Sequence, residues 1–239
     1  MTQIRQNPTY CAIDTPDLAR AQKLAAHVAG SVGGIKLGKE FFAAHGPQGV
    51  RAVVGAHDLP LFLDLKFHDI PNTVAGALRA VCRLQPAIVN VHATGGRAML
   101  EAARDAVAEA GGEHRPRLIA VTLLTSLDDS DLDEIGLRGP VTERAVALAR
   151  LSQDCGLDGV VCSPREIAAI RAACGPDFLL VVPGLRPSGS AAGDQKRVMT
   201  PADARAAGAD VLVVGRPITG AADPAAAARA IAADLGIAA

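Results

Sequence analysis

Asp64-Leu65-Lys66-Phe67-His68-Asp69-Ile70-Pro71-Asn72-Thr73, entered from the apolar run Leu61-Phe62-Leu63, is the stretch on which the reading of this chain turns. If the run is a strand, alternation puts Asp64 and Lys66 on one face and Leu65 and Phe67 on the other. Leu59, Leu61, Phe62, Leu63 and Leu65 leave no wet face, as in a parallel-sheet strand buried on both sides, so the charges belong at its end. Pro71 stops the strand and suits the first turn of a helix. With Asp69 at that corner, two carboxylates bracket one lysine. Such a cluster either only holds the corner or performs chemistry, because structural ion-pair networks also perturb ionisation.

Outward from this corner, short β-branched runs alternate with Ala-rich helical stretches. The expected strands are 10–14, 34–38, 61–66, 88–92, 118–123, 159–162, 179–183 and 211–215. The expected helices are 17–29, 40–45, 73–83, 97–110, 142–155, 164–173, 201–206 and 224–235. Strands each followed by a helix predict an α/β fold, a single (β/α)8 TIM barrel over residues 1–239 with no linker. The length of 239 residues fits a barrel of about 250.

Bulk composition narrows the function classes. Hydrophobic residues make up 49% and charged residues 21%, as in globular proteins. A net charge of -1 without a basic patch argues against nucleic acid. No apolar stretch approaches a membrane span, and residues 1–8 lack an apolar signal core, so a cytoplasmic protein is expected. The five cysteines have no C-x-x-C spacing and read as small core residues. No His/Asp/Glu trio recommends a metal.

Barrels of this kind carry their chemistry at the carboxyl ends of the strands. The polar residues there are Asp14, Lys36, Asp64 with Lys66, His92, Thr125 with Ser126, Ser163, Arg186, and Gly215 with Arg216. Asp14 before Thr15-Pro16 and Ser163 before Pro164 can also be read as helix caps. His92 is either a general base or a support for its neighbours, and the placing of His68 stays open. The segment from Gly184 to Arg197 is long and rich in Gly and Ser, which fits a lid closing over a ligand. With Arg216 after the eighth strand, it suggests a phosphate-bearing substrate. The acidic run 128–134 reads as a solvated loop followed by a short helix.

These residues resemble the orotidine 5'-phosphate decarboxylase family. The resemblance rests on D-x-K-x-x-D-I-P-N-T from Asp64 to Thr73, with Asp14, Ile35-Lys36-Leu37-Gly38, Asn90-Val91-His92-Ala93 and the stretch from Val121 to Ser126. Pro183-Gly184-Leu185-Arg186-Pro187, Gly193-Asp194-Gln195 and Val214-Gly215-Arg216-Pro217 complete it. The resemblance implies a homodimer with shared active sites and no metal or organic cofactor. It makes Lys66 the proton donor to C6 of the pyrimidine, flanked by Asp64 and by Asp69 of the partner chain. Asp14 and Lys36 would hold the ribose and the charge network, and Thr125 and Ser126 the pyrimidine edge. Arg186, Gln195, Gly215 and Arg216 would grip the phosphate, while Ile70 and Thr73 would complete the substrate-binding set, Thr73 from the neighbouring subunit. Two alternatives stand beside this reading. One is a magnesium-dependent sugar-phosphate decarboxylase or synthase sharing D-x-K-x-x-D; the other is a nucleotide-binding barrel that has lost catalysis.

Overall fold

The structure, a computed structural model, describes residues 7–55, 57, 59–187 and 199–237. Eight parallel strands close in sequence order, the first pairing with the last. They are β1 (Thr9–Ile13), β2 (Gly34–Gly38), β3 (Leu61–Phe67), β4 (Ile88–His92), β5 (Arg117–Val121), β6 (Gly159–Val161), β7 (Leu179–Val182) and β8 (Val211–Val214). The helices are α1 (Leu18–Val28), α2 (Lys39–Val54), α3 (Pro71–Cys82), α4 (Gly96–Gly111), α5 (Asp129–Glu134), α6 (Val141–Asp154), α7 (Ile167–Cys174), α8 (Pro201–Ala206), α9 (Arg216–Thr219) and α10 (Pro224–Asp234). The barrel architecture expected from the sequence is therefore present.

Alternation along the strands builds two apolar layers. Tyr10, Phe62, Ile88, Ile119, Val181 and Val211 pack inside the barrel. Residues of opposite parity, among them Cys11, Ile35, Leu63, Val89 and Leu212, pack outward against the helices. Toward the carboxyl ends of the first strands the inward positions turn polar, at Lys36, Asp64 and Asn90. All five cysteines are buried and unbridged, as read from the sequence.

Local sequence explains most boundaries. Asp17 caps α1 through the Arg20 N–H, and Pro71 opens α3 at its first turn. Helix α2 runs on to Val54 instead of ending near residue 45, because Gly46 at φ 57° kinks the chain and Pro47 restarts the helix. The acidic run is itself α5 and its N-cap, opened by a capping box between Asp128 and Asp131. At the amino ends of the strands, Arg171 ties the Gly175, Phe178 and Gly208 carbonyls to Asp210 with bonds of 2.6–2.7 Å. Such ties at this end serve stability and leave the opposite rim for chemistry.

Candidate active site

The site is built on an irregularity in β3. Register with β4 runs Leu63 to Val89 and then Phe67 to Val91, so four steps on β3 match two on β4. The surplus forms a bulge, and within it Lys66 takes φ 52°, a left-handed conformation that non-glycine residues rarely adopt. Simple alternation therefore fails at the residue the sequence singles out. Lys66 Nζ nevertheless turns back onto Asp64, donating to Oδ1 at 2.5 Å.

Asp64 is the hub. Its Oδ2 lies 3.3 Å from Lys36 Nζ, which also donates to Asp14 Oδ1 at 3.1 Å. Asp64 Oδ1 further accepts from Asn90 Nδ2 at 2.7 Å. Burial alone would raise the Asp64 pKa, but Lys36, Lys66 and the Lys66 and Asn90 hydrogen bonds overcome it and hold the carboxyl below its ordinary 3.8. For Lys36, burial pulls the pKa down, while Asp64 and Asp14 outweigh it and raise it above its ordinary 10.5. The sign follows for both. Stability from Asp64 is lost only as pH falls through its lowered pKa, and that from Lys36 only as pH rises through its raised one. Asp64 and Lys36 therefore both stay ionised across the neutral range.

Asp14, Lys36, Asp64 and Lys66 line one wall of a pocket of about 280 Å³ over the carboxyl ends of the strands, with Phe62, Val161 and Val181 among its apolar lining. Across the barrel, four strands from β3, the chain leaves β7 through Pro183, Gly184 and Arg186, and Gly215 and Arg216 follow β8. Gly184 has φ 79°, a turn conformation open to glycine. Arg186 is buried, and its pKa is pushed down first by desolvation and then by Arg216. Two guanidiniums drawn together on a concave wall favour an anion between them.

The pocket thus gathers Asp14, Lys36, Asp64 and Lys66 with Thr125, Arg186, Gly215 and Arg216. Four predicted residues stand outside it within one chain. Asp69 makes no ion pair with Lys66; it is exposed, and its Oδ1 accepts from the Ile70 N–H at 2.6 Å. The expected bracket of two carboxylates is therefore, within a single chain, a pair with Asp64 alone, because Asp69 follows the bulge on the way out to α3. Ile70 is 68% exposed, and Thr73 and Ser126 are also exposed. Gln195, with most of the Gly184–Arg197 lid, lies outside the described residues. Ser163 proves to be a cap, its hydroxyl accepting from the Arg165 N–H. Asp14 is not one, since Asp17 caps α1 and Asp14 holds Lys36.

Sequence reasoning gave Asn90 no role. The signal was present as an amide between Val89 and Val91 in the middle of a buried strand, where an unpaired polar group would be costly.

His92 sits half-buried with its ring centroid 5.3 Å from that of His68. Burial, then His68, Lys39 and Lys66, push its pKa from 6.5 to about 4, with Asp64 opposing. A histidine depressed in the folded state contributes stability present above pH 6.5 and lost as pH falls toward 4. Thermal unfolding at pH 5 should therefore come about 2–4 °C below that at pH 7, with the gap narrowed in His92→Gln. Equal gaps in the two proteins would remove His92 as the source.

Fold and site together define a class: a (β/α)8 barrel with a lysine–carboxylate network facing a paired-arginine anion wall at the carboxyl ends of its strands. The orotidine 5'-phosphate decarboxylase / HUMPS family profile matches residues 8–231, and the chain belongs to that family. It is 60% identical over 238 residues to the orotidine 5'-phosphate decarboxylase of Rhodospirillum rubrum, covering 98% of this chain and 96% of that protein. The enzyme of the same name from Paramagnetospirillum magneticum is 56% identical over 234 residues, covering 97% and 99%. Among solved structures, orotidine 5'-phosphate decarboxylase from Lactobacillus acidophilus superposes with a TM-score of 0.84 at 36% identity, covering 96% of this chain and 99% of that one.

Proposed function

We propose that this chain decarboxylates orotidine 5'-phosphate to uridine 5'-phosphate, a carboxy-lyase step of pyrimidine nucleotide synthesis. The observation that carries the reading is the Lys66 ammonium, 2.5 Å from Asp64, in the same pocket as Arg186 and Arg216. When the C6–carboxylate bond breaks, carbon dioxide leaves and the electron pair stays on C6 in the ring plane, where the π system cannot take it up. Groups already in place must stabilise that charge. An ammonium held by a carboxylate does so and then gives its proton to C6, forming the C–H bond.

The other roles are those the family resemblance implies. Asp14 and Lys36 hold the ribose side, Thr125 and Ser126 meet the pyrimidine edge, and Arg186, Gly215 and Arg216, with Gln195 of the lid, grip the phosphate. Asp69, Ile70 and Thr73 serve the neighbouring subunit's site in a homodimer. Their outward placement supports this, since Ile70 is a large apolar side chain left 68% exposed beside the pocket corner. The working compartment is the cytoplasm; no helix of the described residues is long and apolar enough to cross a membrane.

Loss of orotidine 5'-phosphate absorbance with purified protein tests the reading. Among the described residues no group of three His, Cys, Asp or Glu comes together to hold a metal, so excess EDTA should leave the rate unchanged. A rate that vanishes in chelator and returns with magnesium would instead indicate the sugar-phosphate chemistry, which the named relatives do not favour.

The phosphate should contribute to catalysis as well as to binding, since remote binding energy can organise the reacting centre. Arg216→Ala should lower kcat/KM by about tenfold to a hundredfold, the size of a lost charge-assisted hydrogen bond. Orotidine lacking its phosphate should be a far poorer substrate for the parent enzyme than for the variant relative to their nucleotide rates. Equal efficiency with and without the phosphate would dismiss the arginine wall as its site.

A further inference from the structure

We infer that Asn90 is a positioning residue for the reaction proposed above, acting through Asp64 and the Lys66 backbone. Its side chain is fully buried inside the barrel on β4, beside the β3 bulge. One amide makes two contacts there: Nδ2 donates to Asp64 Oδ1 at 2.7 Å, and Oδ1 accepts from the Lys66 N–H at 2.8 Å.

Both contacts answer to the bulge. A bulge takes a residue's N–H out of the regular ladder, and a buried N–H without an acceptor is costly. Asn90 supplies that acceptor, so it holds Lys66 at φ 52°, the conformation from which Nζ returns onto Asp64. Its other end fixes the Asp64 oxygen that Lys66 itself contacts, leaving Oδ2 toward Lys36. A donor and an acceptor on one short planar group are needed. Aspartate in its charged form would lack the donor, and an aliphatic residue would lack both.

The residue does not reach the substrate wall, since it is absent from the pocket lining. Its loss should therefore fall on kcat, with KM little changed. Asn90→Ala is expected to lower kcat by about tenfold to a hundredfold, the range for hydrogen bonds to charged groups, with KM within about threefold. Asn90→Asp gives a sharper readout. The new carboxyl would face Asp64 and Lys66 on β3 and Lys36 beyond them on β2. His92 follows on the same strand as Asn90, and Ile119, the β5 partner of Asn90, brings no charge. Beside Asp64 the new group should hold a proton well above the usual carboxylate range. Once protonated it regains a donor for Asp64 while still accepting from Lys66. The kcat of Asn90→Asp should thus rise as pH is lowered from 8 toward 6, a range over which the parent profile should stay flat.

Steady-state kinetics of parent, Asn90→Ala and Asn90→Asp across this range, with circular dichroism and melting of each, decide the matter. Parent protein without decarboxylase activity would defeat the proposed function itself. An active parent beside a folded Asn90→Ala of unchanged kcat, or beside an Asn90→Asp whose pH profile has the parent's shape, would overturn the role of Asn90 alone. If Asn90→Ala does not fold, the Asn90→Asp profile and its kcat-against-KM split still decide.

Discussion

Lys66→Ala protein is expected to fold and to lose more than the roughly hundred- to ten-thousand-fold typical of removing a general acid. The ammonium does two jobs in the proposed reaction, donating the proton and neutralising charge at C6, so one truncation removes both. It also strips Asp64 of its contact at 2.5 Å. The fold should survive because Asp64 keeps Lys36 at 3.3 Å and Asn90 at 2.7 Å, so no buried charge is left alone. Alanine does not relieve the φ of 52°, whereas glycine does. Lys66→Gly should accordingly melt no lower than Lys66→Ala, and both should be inactive. Single-turnover kinetics on protein shown to be folded provide the check; a tenth of the parent kcat in either variant would remove Lys66 as the proton donor.

The second large effect is a recovery. Within one chain Asp69 faces solvent and makes no ion pair with Lys66, so a role in catalysis requires a second copy. In a two-fold dimer the exchange is reciprocal, each site joining Lys66 of one chain to Asp69 of the other. Lys66→Ala and Asp69→Ala proteins should each be nearly inactive alone. Unfolded together and refolded, about half the dimers should be mixed, and each mixed dimer rebuilds one of its two sites, giving about a quarter of parental activity. If both residues served the same chain's site, no pairing could restore one. Differently tagged chains verify that mixed dimers formed; a mixture as inactive as its parents would refute the shared site.

Much of this protein is written in local pattern. Strands such as Leu61–Phe67, apolar on both faces, alternate with helices opened by Asp17 or Pro71, and that spacing admits a closed barrel. Once the barrel is granted, residues at strand ends must converge on one rim. Asp14, Lys36, Asp64, Lys66, Thr125, Arg186, Gly215 and Arg216 were legible for that reason, and the pocket contains all of them. Residues 46–54 were misread because Gly46-Pro47 looks like an end and is a kink.

What the sequence could not decide lies in contacts between strands. Alternation assumes an even ladder, but the β3 bulge breaks it and puts Lys66 at positive φ. The partner that makes this tolerable, Asn90, is 24 residues away and adjacent only through the β3–β4 register. Asp69 shows the same limit from the other side. Five residues from Asp64, it looks like a second member of the pair, yet the bulge and the turn into α3 carry it out to the surface. The sequence by itself determined the barrel and the inventory of its rim, because period and strand ends are local. Only the tertiary structure decided which of those charges meet, because hydrogen bonds across a ladder depend on a register that no single segment carries.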